Sequence, residues 1–534
     1  MKYSNRPVVW SIAGSDSGAG AGLQADLRAF DTFDVHGCTA VAAISAQNSV
    51  RVLHVEPVAT ELLDAQLAAL ADDLPPRSIK TGLLGSVENV RCVATWVDRL
   101  RRVHPVALVV DPVWRASTGA DLSSAALREA ILGELLPRAT VVTPNRVEAA
   151  WLLDWDATAL NAPSAVARAA AALRGRGSKA VVITGGDAGG HHSLDYLDAP
   201  EANGWLSLAR VETSHNHGSG CVFAASLAAA LALGFCASDA TVIAKMSATN
   251  GLTDGWAAGR GAGAVRPQRG FGLRPELLPA LHPAPQGPDV VFPALSNRHL
   301  GLYAVVDSAD WVERVLAAGV RTVQLRIKQG TRQNLSREVT RSVQAARAMQ
   351  AQLFINDHWK LAIEHGAYGV HLGQEDLFAA DMDALRKAGL RLGLSTHSYW
   401  EVCRAHAWTP SYIACGPIHS TTTKEMPWRP QGPGNLAYWC RLLRQPVVAI
   451  AGMEVERSGE AMRCGAAGVA VVRGILQASD PVRAIHDFMA AIGQSSLEQR
   501  LPAPELPRST FPGPVAPMPS HLPGPGELSV RPPP

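Results

Sequence analysis

Eight short strand candidates recur between residues 301 and 472, and this repeat constrains the fold more than any other feature of the chain. Each has the length of a buried strand, and helical patterns separate most of them. They are GLYAVV (301–306), TVQLR (322–326), LFIN (353–356), GVHL (369–372), RLGLS (391–395), YIAC (412–415), VVAI (447–450) and GVAVV (468–472). Eight strand–helix units in roughly 190 residues predict a closed (β/α)8 barrel of the TIM type.

Polar residues follow these strands at the end where such a barrel carries its chemistry. Arg326 and Lys328 follow the second strand and, being two residues apart, can point the same way. Later loops add glycines, hydroxyl groups and another cation, a combination suited to phosphate, at Gly416, Thr421, Thr423, Lys424, Gly452 and Gly474. Asp357 and Asp376 would repel such an anion unless Mg²⁺ lay between them. The rim therefore predicts a site for magnesium and pyrophosphate.

These strings together resemble the thiamin-phosphate synthase family over about residues 299–490. The motifs are QLRIK, FINDHW, GVHLGQED, LSTHS, GPIHSTTTK and GVAVVRGI. The family joins hydroxymethylpyrimidine pyrophosphate to a thiazole phosphate and releases pyrophosphate, by a cation-like route that needs no protein nucleophile. Two small departures are Ala451, where the family often has glycine, and Ser420, where it often has proline.

The resemblance implies a role for each matching residue of the barrel. Gln324, Arg326 and Lys328 would hold the pyrimidine diphosphate with help from Asn356. Asp357 and Asp376 would bind Mg²⁺. Contacts to pyrophosphate and to the thiazole phosphate would come from Ser395, Thr421, Thr423 and Lys424. Gly452 and the turn at Val472 and Arg473 would cradle the thiazole phosphate with backbone amides.

The N-terminal part of the chain, from residue 8 to about 257, alternates strand and helix patterns in a different way. The predicted strands are 8–13, 106–110, 140–143 and 180–184, and the clearest helical patterns are 86–103 and 164–176. Such alternation predicts a mostly parallel sheet with helices on both faces. The longest apolar run, 222–235, is too short to span a membrane and is predicted to be a buried core helix.

Two glycine-rich loops stand out in this region. GSDSGAGAG (14–22) follows the first strand but has neither phosphate-loop nor dinucleotide spacing. SHNHGSGC (214–221) precedes the apolar run, so Gly218, Ser219 and Gly220 would offer amides to an anion at a helix N-terminus. The same helix is expected to lower the pKa of the Cys221 thiol, which could then act as a base. A buried cysteine that simply starts a core helix is the alternative.

A set of acidic and amide side chains predicts where a nucleotide would bind. Asn145 and Glu148 in TPNRVE are three residues apart and are predicted to lie on one helix face. Asp111 ends the strand in VVDPV. These groups suit the neighbourhood of a magnesium-bound nucleotide.

The N-terminal motifs resemble the hydroxymethylpyrimidine/phosphomethylpyrimidine kinases of the ribokinase-like fold over about residues 6–260. They are AGSDSGAGAGLQADL, AQN, KTGLL, VVDPVWRASTG, TPNRVEA and HGSGC. The family uses MgATP to phosphorylate the alcohol and then the monophosphate, and its product is the substrate of the predicted barrel. The resemblance implies that Gly14, Asp26 and Gln47 bind the aminopyrimidine, with Cys221 as base and Gly218 to Gly220 as anion hole.

One position departs from the kinase pattern in a way that bears on catalysis. Thr184 in VVITGGD stands where the family usually has lysine. A lysine would neutralise the transferring phosphate, whereas threonine supplies only a neutral hydroxyl group. We therefore expect a slower kinase than in lysine-bearing relatives.

Shifts in composition set the predicted domain boundaries. We expect a kinase domain over 1–262, a Gly/Pro-rich linker over 263–297, a synthase barrel over 298–492 and a disordered Pro-rich tail over 493–534. Twelve of the chain's 36 prolines fall between residues 502 and 534, which disfavours packed helix or sheet there.

Charge and cysteine usage narrow the expected partners. The net charge of +2 predicts neither nucleic acid nor membrane as a partner. The eight cysteines form no C-x-x-C pair and no signal peptide is evident, which favours a cytoplasmic protein. The expected ligands are hydroxymethylpyrimidine and its phosphates, thiazole phosphate, ATP and Mg²⁺, and association into homo-oligomers is left open.

Two other functions compete for the N-terminal half. The first is a pyridoxal-type kinase of the same fold, which would leave the fused synthase unexplained. The second is a weakly catalytic pyrimidine-binding module, for which Thr184 is the only support. Turnover of ATP separates these hypotheses from the pyrimidine kinase.

Overall fold

The computed structural model describes residues 6–114, 124–186, 189–287, 290–421, 427–495 and 500–514. These residues form two compact units. The first extends to Gly287 and also includes 512–514, and the second ends at Phe511.

The first unit is built on one ten-stranded sheet. Its strands are β1 (Val8–Asp16), β2 (His36–Gln47), β3 (Val52–Pro57), β4 (Ser78–Thr81), β5 (Ala107–Val110), β6 (Val141–Val142), β7 (Ala180–Ile183), β8 (His192–Asp198), β9 (Asn203–Ala209) and β10 (Ala280–His282). The spatial order is β10-β9-β8-β7-β6-β5-β4-β1-β2-β3. Strands β1, β2 and β4 to β7 are parallel, whereas β3 and β8 to β10 pair in the antiparallel sense at the two edges.

Helices of the first unit pack as two groups, one of α1, α7 and α8 and one of α2 to α6. They are α1 (Gly22–Thr32), α2 (Thr60–Asp73), α3 (Val87–Arg101), α4 (Ala125–Ala130), α5 (Arg146–Leu153), α6 (Pro163–Gly175), α7 (Ser219–Ala232) and α8 (Ala237–Thr253). Helix α7 is apolar and buried from Val222 onward, as the run 222–235 predicts. No helix among the described residues is long and apolar enough to cross a membrane.

The second unit is a closed barrel of eight parallel strands. Its strands are β11 (Gly301–Val306), β12 (Thr322–Leu325), β13 (Gln352–Asn356), β14 (Gly369–Leu372), β15 (Arg391–Thr396), β16 (Tyr412–Cys415), β17 (Val447–Ile450) and β18 (Gly468–Val471). Its helices are α9 (Ala309–Ala317), α10 (Arg332–Ala348), α11 (Trp359–Glu364), α12 (Met382–Lys387), α13 (Tyr399–His406), α14 (Gly432–Leu442), α15 (Val455–Arg463), α16 (Arg473–Leu476) and α17 (Pro481–Ser495). The predicted eight-stranded barrel is confirmed, and each predicted strand lies within one residue of the observed one.

Two of the predicted boundaries differ from the structure. Strand β10 lies within the predicted linker 263–297, where it pairs with β9 and extends the first unit's sheet. The predicted tail begins inside α17, which continues to Ser495. Residues 500–511 then lie against the barrel, with Ser509 and Thr510 buried. Proline removes backbone donors, but its carbonyl groups and the residues between prolines still form hydrogen bonds.

Candidate functional sites

A cavity of about 570 Å³ lies where the parallel strands of the first unit end. Ten residues were predicted for the kinase site, and nine of them line this cavity. They are Gly14, Gln47, Asp111, Asn145, Glu148, Gly218, Ser219, Gly220 and Cys221. The tenth, Asp26, is fully buried and is not among the lining residues.

The loop before α7 presses against the first glycine loop. Gly218 caps α7 with φ of +85°, and a Cβ there would lie 2.1 Å from the carbonyl oxygen of Gly20. Only glycine suits such a conformation and such an approach. The Ser219 N–H donates to the Asn216 carbonyl at 3.2 Å, so the next amides of the first turn, at Gly220 and Cys221, are better placed for an anion.

The Cys221 thiol is less acidic than the sequence led us to expect. Burial raises its pKa to about 12, and the nearby carboxylates Asp26 and Asp111 act in the same direction. Lys80 and the Gly22 amide oppose this shift without overcoming it. The predicted lowering of the pKa is therefore wrong, because desolvation of a thiolate outweighs the attraction of the helix N-terminus.

Lys80 is a central cation of this cavity, and sequence reasoning missed it. Its Nζ lies 3.0 Å from Asp26 Oδ2 and 3.7 Å from Asp111 Oδ2, and its side chain is fully buried. Burial alone would lower the pKa of Lys80, but the two carboxylates raise it overall. The signal in the sequence was a lysine inside the buried strand SIKT, where lysine is rare unless paired.

Asp26 anchors this lysine from below. It accepts hydrogen bonds from Lys80 Nζ and from Ser11 Oγ, the latter at 2.5 Å, and it is fully buried. Burial raises the pKa of Asp26 above its usual value, and Lys80 limits the rise. The predicted direct contact of Asp26 with the aminopyrimidine does not fit this position, since both carboxylate oxygens are engaged by the protein.

Asn145 and Glu148 are arranged differently from the prediction. Asn145 is the N-cap of α5 and not a residue of its face, and its Oδ1 accepts the Glu148 N–H at 2.8 Å. Glu148 Oε2 accepts the Asn145 N–H at the same distance, which completes a capping box. Both residues still line the cavity beside Asp111, whose pKa burial raises to about 6 against the attraction of Lys80.

The first glycine loop is organised by a carboxylate. Asp16 accepts the N–H groups of Gly18, Gly20 and Ala21 at 2.7–2.9 Å and lies 3.3 Å from His217 Nε2. Burial works against the charge of Asp16, but these bonds lower its pKa to about 2. Several loop amides therefore serve a protein carboxylate and not a phosphate.

A second buried cation lines the cavity beside Thr184. Lys245 on α8 places Nζ 2.7 Å from Asp195 Oδ2 and donates to the Ser193 carbonyl at 3.2 Å. Asp195 Oδ1 in turn accepts the N–H of Gly185 at 3.0 Å. Thr184 and Lys245, which are far apart in the sequence, both line the same cavity.

A buried hydrogen-bond network supports the barrel rim from inside. Tyr303 and Tyr412 join through their hydroxyl groups at 2.8 Å, and Gln324 Nε2 donates to Tyr303 at 3.3 Å. His371 Nδ1 lies 2.7 Å from the Tyr412 hydroxyl, and its Nε2 lies 2.9 Å from Ser395 Oγ. Burial and the neighbouring Arg326 lower the pKa of His371 to about 4, so a neutral imidazole fixes Ser395.

Asp357 and Asp376 meet at the rim, as predicted. Partial burial and the Asp376 carboxylate raise the pKa of Asp357, and Arg326 opposes this rise. The Asp357 residue is nevertheless exposed to solvent. Asp357 has φ of +62° directly after β13, which turns it out of the strand. Two like-charged carboxylates in contact are the donor set that a divalent cation would relieve. Among the described residues no group of three or more His, Cys, Asp or Glu side chains could hold a metal ion.

The remaining predicted barrel residues differ in burial and backbone conformation, and two of them lie outside the described residues. Asn356 is buried at the end of β13, Arg326 is half-buried and Lys328 is exposed. Gly452 and Ala451 both have positive φ, of +67° and +77°. Val472 caps α16, Arg473 begins it, and Thr421 is half-buried, whereas Thr423 and Lys424 lie outside the described residues.

Comparison with known proteins separates the chain into the same two regions. Residues 16–266 match the family model described as Phosphomethylpyrimidine kinase, and residues 302–475 match the one described as Thiamine monophosphate synthase. A thiamine-phosphate synthase from Yersinia pestis is 50% identical over 202 residues, 38% of this chain and 94% of the relative. One from Salmonella typhimurium is 48% identical over 203 residues, 38% of this chain and 96% of the relative.

Two of the solved structures that are similar to the chain are kinases. Pyridoxal kinase from Staphylococcus aureus, in complex with AMP-PCP and pyridoxal, is 32% identical with a TM-score of 0.44, over 49% of this chain and 93% of that one. A phosphomethylpyrimidine kinase from Clostridium difficile is 28% identical with a TM-score of 0.39, over 45% of this chain and 97% of that one.

Proposed function

Since the chain belongs to the thiamine-phosphate synthase family and also carries a phosphomethylpyrimidine kinase domain, it is a bifunctional transferase of thiamin biosynthesis. We propose which residues carry out each of its two activities. The kinase cavity phosphorylates hydroxymethylpyrimidine and then its monophosphate. The barrel couples the resulting pyrophosphate to thiazole phosphate and forms thiamin phosphate. The observation that carries this proposal is the convergence of nine kinase-motif residues on one cavity.

In the kinase, stabilisation of charge is the main task of the protein. Phosphoryl transfer spreads negative charge over the oxygens of the transferred group. The first-turn amides of α7, at Gly220 and Cys221, would face that charge, and Lys80 and Lys245, which both line the cavity, would supply cations. Bound Mg²⁺ would neutralise nucleotide phosphates beside Asp111 and Glu148. Gly14 and Gln47 would hold the aminopyrimidine.

Cys221 would contact the reacting hydroxymethyl group and take its proton. The hydroxyl oxygen forms a bond to the γ-phosphorus of ATP while the bond from that phosphorus to the bridging oxygen breaks, and the proton leaves the nucleophile. The high pKa of Cys221 makes it a strong base once deprotonated but leaves little thiolate at neutral pH. Activity should therefore rise with pH.

In the synthase, Asp357 and Asp376 would hold Mg²⁺, which when bound stabilises departing pyrophosphate. Arg326 and Lys328 would bind the diphosphate, with Gln324 and Asn356 on the pyrimidine side. Ser395, oriented by His371, and Thr421, Thr423 and Lys424 would contact the phosphates. Backbone amides around Gly452, Val472 and Arg473 would hold the thiazole phosphate.

The ligands proposed are therefore small molecules, and the free state of all eight cysteines supports a reducing, cytoplasmic setting. A direct test measures ADP release by the full chain with hydroxymethylpyrimidine, with its monophosphate and with pyridoxal. The proposal expects turnover with both pyrimidines and preference for them over pyridoxal. Preference for pyridoxal would favour the alternative kinase, and pyrimidine binding without ADP release would favour a binding module.

A further inference from the structure

Residues 500–511, here called the strap, form an extended segment held against the barrel after α17. Pro507, Ser509 and Thr510 in it are buried, although the composition predicted disorder. Prolines at 502, 504 and 507 restrict the backbone to extended conformations and so lower the entropy lost on ordering. The strap lies beyond residue 475, where the match to the synthase family model ends.

The strap follows the barrel wall toward the rim. Near its start, the Leu501 N–H donates to the carbonyl of Arg463, the last residue of α15, at 2.9 Å. Further along, Asn435 in the first turn of α14 binds Arg508 twice. Its Oδ1 accepts the Arg508 N–H and its Nδ2 donates to the Arg508 carbonyl, both at 2.7 Å. Because barrel helices begin at the rim that carries the chemistry, this path leads from the far end to the catalytic end.

At the rim the strap joins two loops. The Thr510 carbonyl accepts the Arg429 N–H at 2.8 Å, and its Oγ1 donates to the His397 carbonyl at 2.6 Å. Arg508 Nη2 donates to the Pro430 carbonyl at 2.8 Å. His397 follows β15, whereas Arg429 and Pro430 end the long connection that follows β16.

Both joined loops continue from proposed substrate contacts. His397 is two residues from Ser395, and its carbonyl also accepts Gln431 Nε2 at 2.8 Å. The connection ending at Gln431 follows β16, the strand next to β15, and includes Thr421. We propose that the strap is a positioning element of the synthase, which fixes His397 after β15 and residues 429–431 before α14 in the geometry that binds the two phosphates.

Misplacement of catalytic groups by about 1 Å can lower activity a hundredfold, so a loop clamp of this kind should affect turnover and not only stability. The test replaces residues 500–511 with a Gly/Ser segment of equal length in the full chain. We expect synthase kcat/KM to fall about 10-fold, at a temperature well below unfolding, while kinase constants stay unchanged. Amide hydrogen exchange should become faster in 427–435 and 395–399.

Two point variants refine this test. Thr510→Val keeps the size and the backbone bond to Arg429 but removes the hydroxyl donor to His397, and it should lower synthase kcat/KM about threefold. Glu505→Ala, at an exposed strap position, is the matched control and should change nothing. If the replaced segment prevents folding, Thr510→Val and its exchange rates decide the question.

The inference rests on the proposed synthase function, and the two fail differently. An unaltered chain without synthase activity would refute the function, while hydrogen exchange would still report on the clamp. Unchanged synthase constants and unchanged exchange in the strap variants, with an active parent, would refute the strap. A lowered melting temperature with unchanged synthase kcat and KM would show that the strap only stabilises the fold, and it would also refute the proposal.

Discussion

Lys245 Nζ lies 2.7 Å from one oxygen of Asp195, and the other oxygen of Asp195 accepts the N–H of Gly185, the residue after Thr184. A buried cation is thus tied to the strand end where the kinase family usually carries lysine. Lys245 is therefore a candidate to compensate for the missing lysine at Thr184.

Removal of this cation should impair the kinase. Lys245→Met should lower kinase kcat about 100-fold, the scale reported for single groups that stabilise transition-state charge. Thr184→Lys in the Lys245→Met background should restore part of the rate, most for the second phosphorylation, whose substrate already carries charge. Steady-state kinetics with both pyrimidine substrates measures this. Equal rates for the parent and Lys245→Met would exclude the compensating role.

The Cys221 thiol predicts a pH dependence with a definite sign. With a pKa of about 12, the thiolate fraction grows as pH rises through the working range, so kinase kcat should increase with pH. Cys221→Ala should lower kcat about 100-fold and flatten the profile, and synthase activity should not change. A variant with near-normal turnover would show that no base is needed at this position.

The Asp357–Asp376 contact predicts a magnesium effect confined to the barrel. Asp357→Asn or Asp376→Asn should raise the Mg²⁺ concentration needed for half-maximal synthase rate and lower the maximal rate, because one charged ligand is lost. The exposed Asp383→Asn serves as control. Unaltered Mg²⁺ titrations in both rim variants would assign the pair a structural role.

The Lys80–Asp26 pair predicts a large stability effect. Asp26→Asn leaves a buried ammonium group without its main partner, and should lower the free energy of unfolding by about 3 kcal/mol. Asp72→Asn, at an exposed position of α2, should lower it by less than about 0.5 kcal/mol. Denaturant unfolding of the kinase unit gives both values, and similar losses in the two variants would contradict the buried-pair account.

Much of the fold follows from the sequence because its signals are local. The barrel strands are short, mostly apolar runs separated by helical segments, and β13, β14 and β16 appear as predicted to within a residue. The antiparallel edge strands β8 to β10 were not predicted, because their half-exposed patterns, such as HSLDYLD, mix with polar residues. Strap residues were predicted as disordered from proline content, since hydrogen bonds to distant loops leave no local signal.

In the candidate sites, too, the features that depend on local sequence were predicted and those that depend on burial were not. Glycine loops and strand-end carboxylates can be recognised from a few neighbouring residues of the sequence. The surroundings of Cys221 and the Asp357–Asp376 pair could therefore be predicted. Side chains that act through burial could not be, because burial depends on the whole fold. That is why Asp26 proved to be an internal anchor and why the pKa of Cys221 moved opposite to the expected direction.

The most direct measurement of the central claim is a one-pot reaction of the purified full chain with hydroxymethylpyrimidine, ATP, Mg²⁺ and thiazole phosphate, followed by mass spectrometry. The account predicts thiamin phosphate from the parent chain. It predicts that Cys221→Ala forms thiamin phosphate about 100-fold more slowly until pyrimidine pyrophosphate is added. A chain carrying both Asp357→Asn and Asp376→Asn should give a strongly reduced yield even then. Failure of the parent to form thiamin phosphate from these substrates, or full activity in both variants, would contradict it.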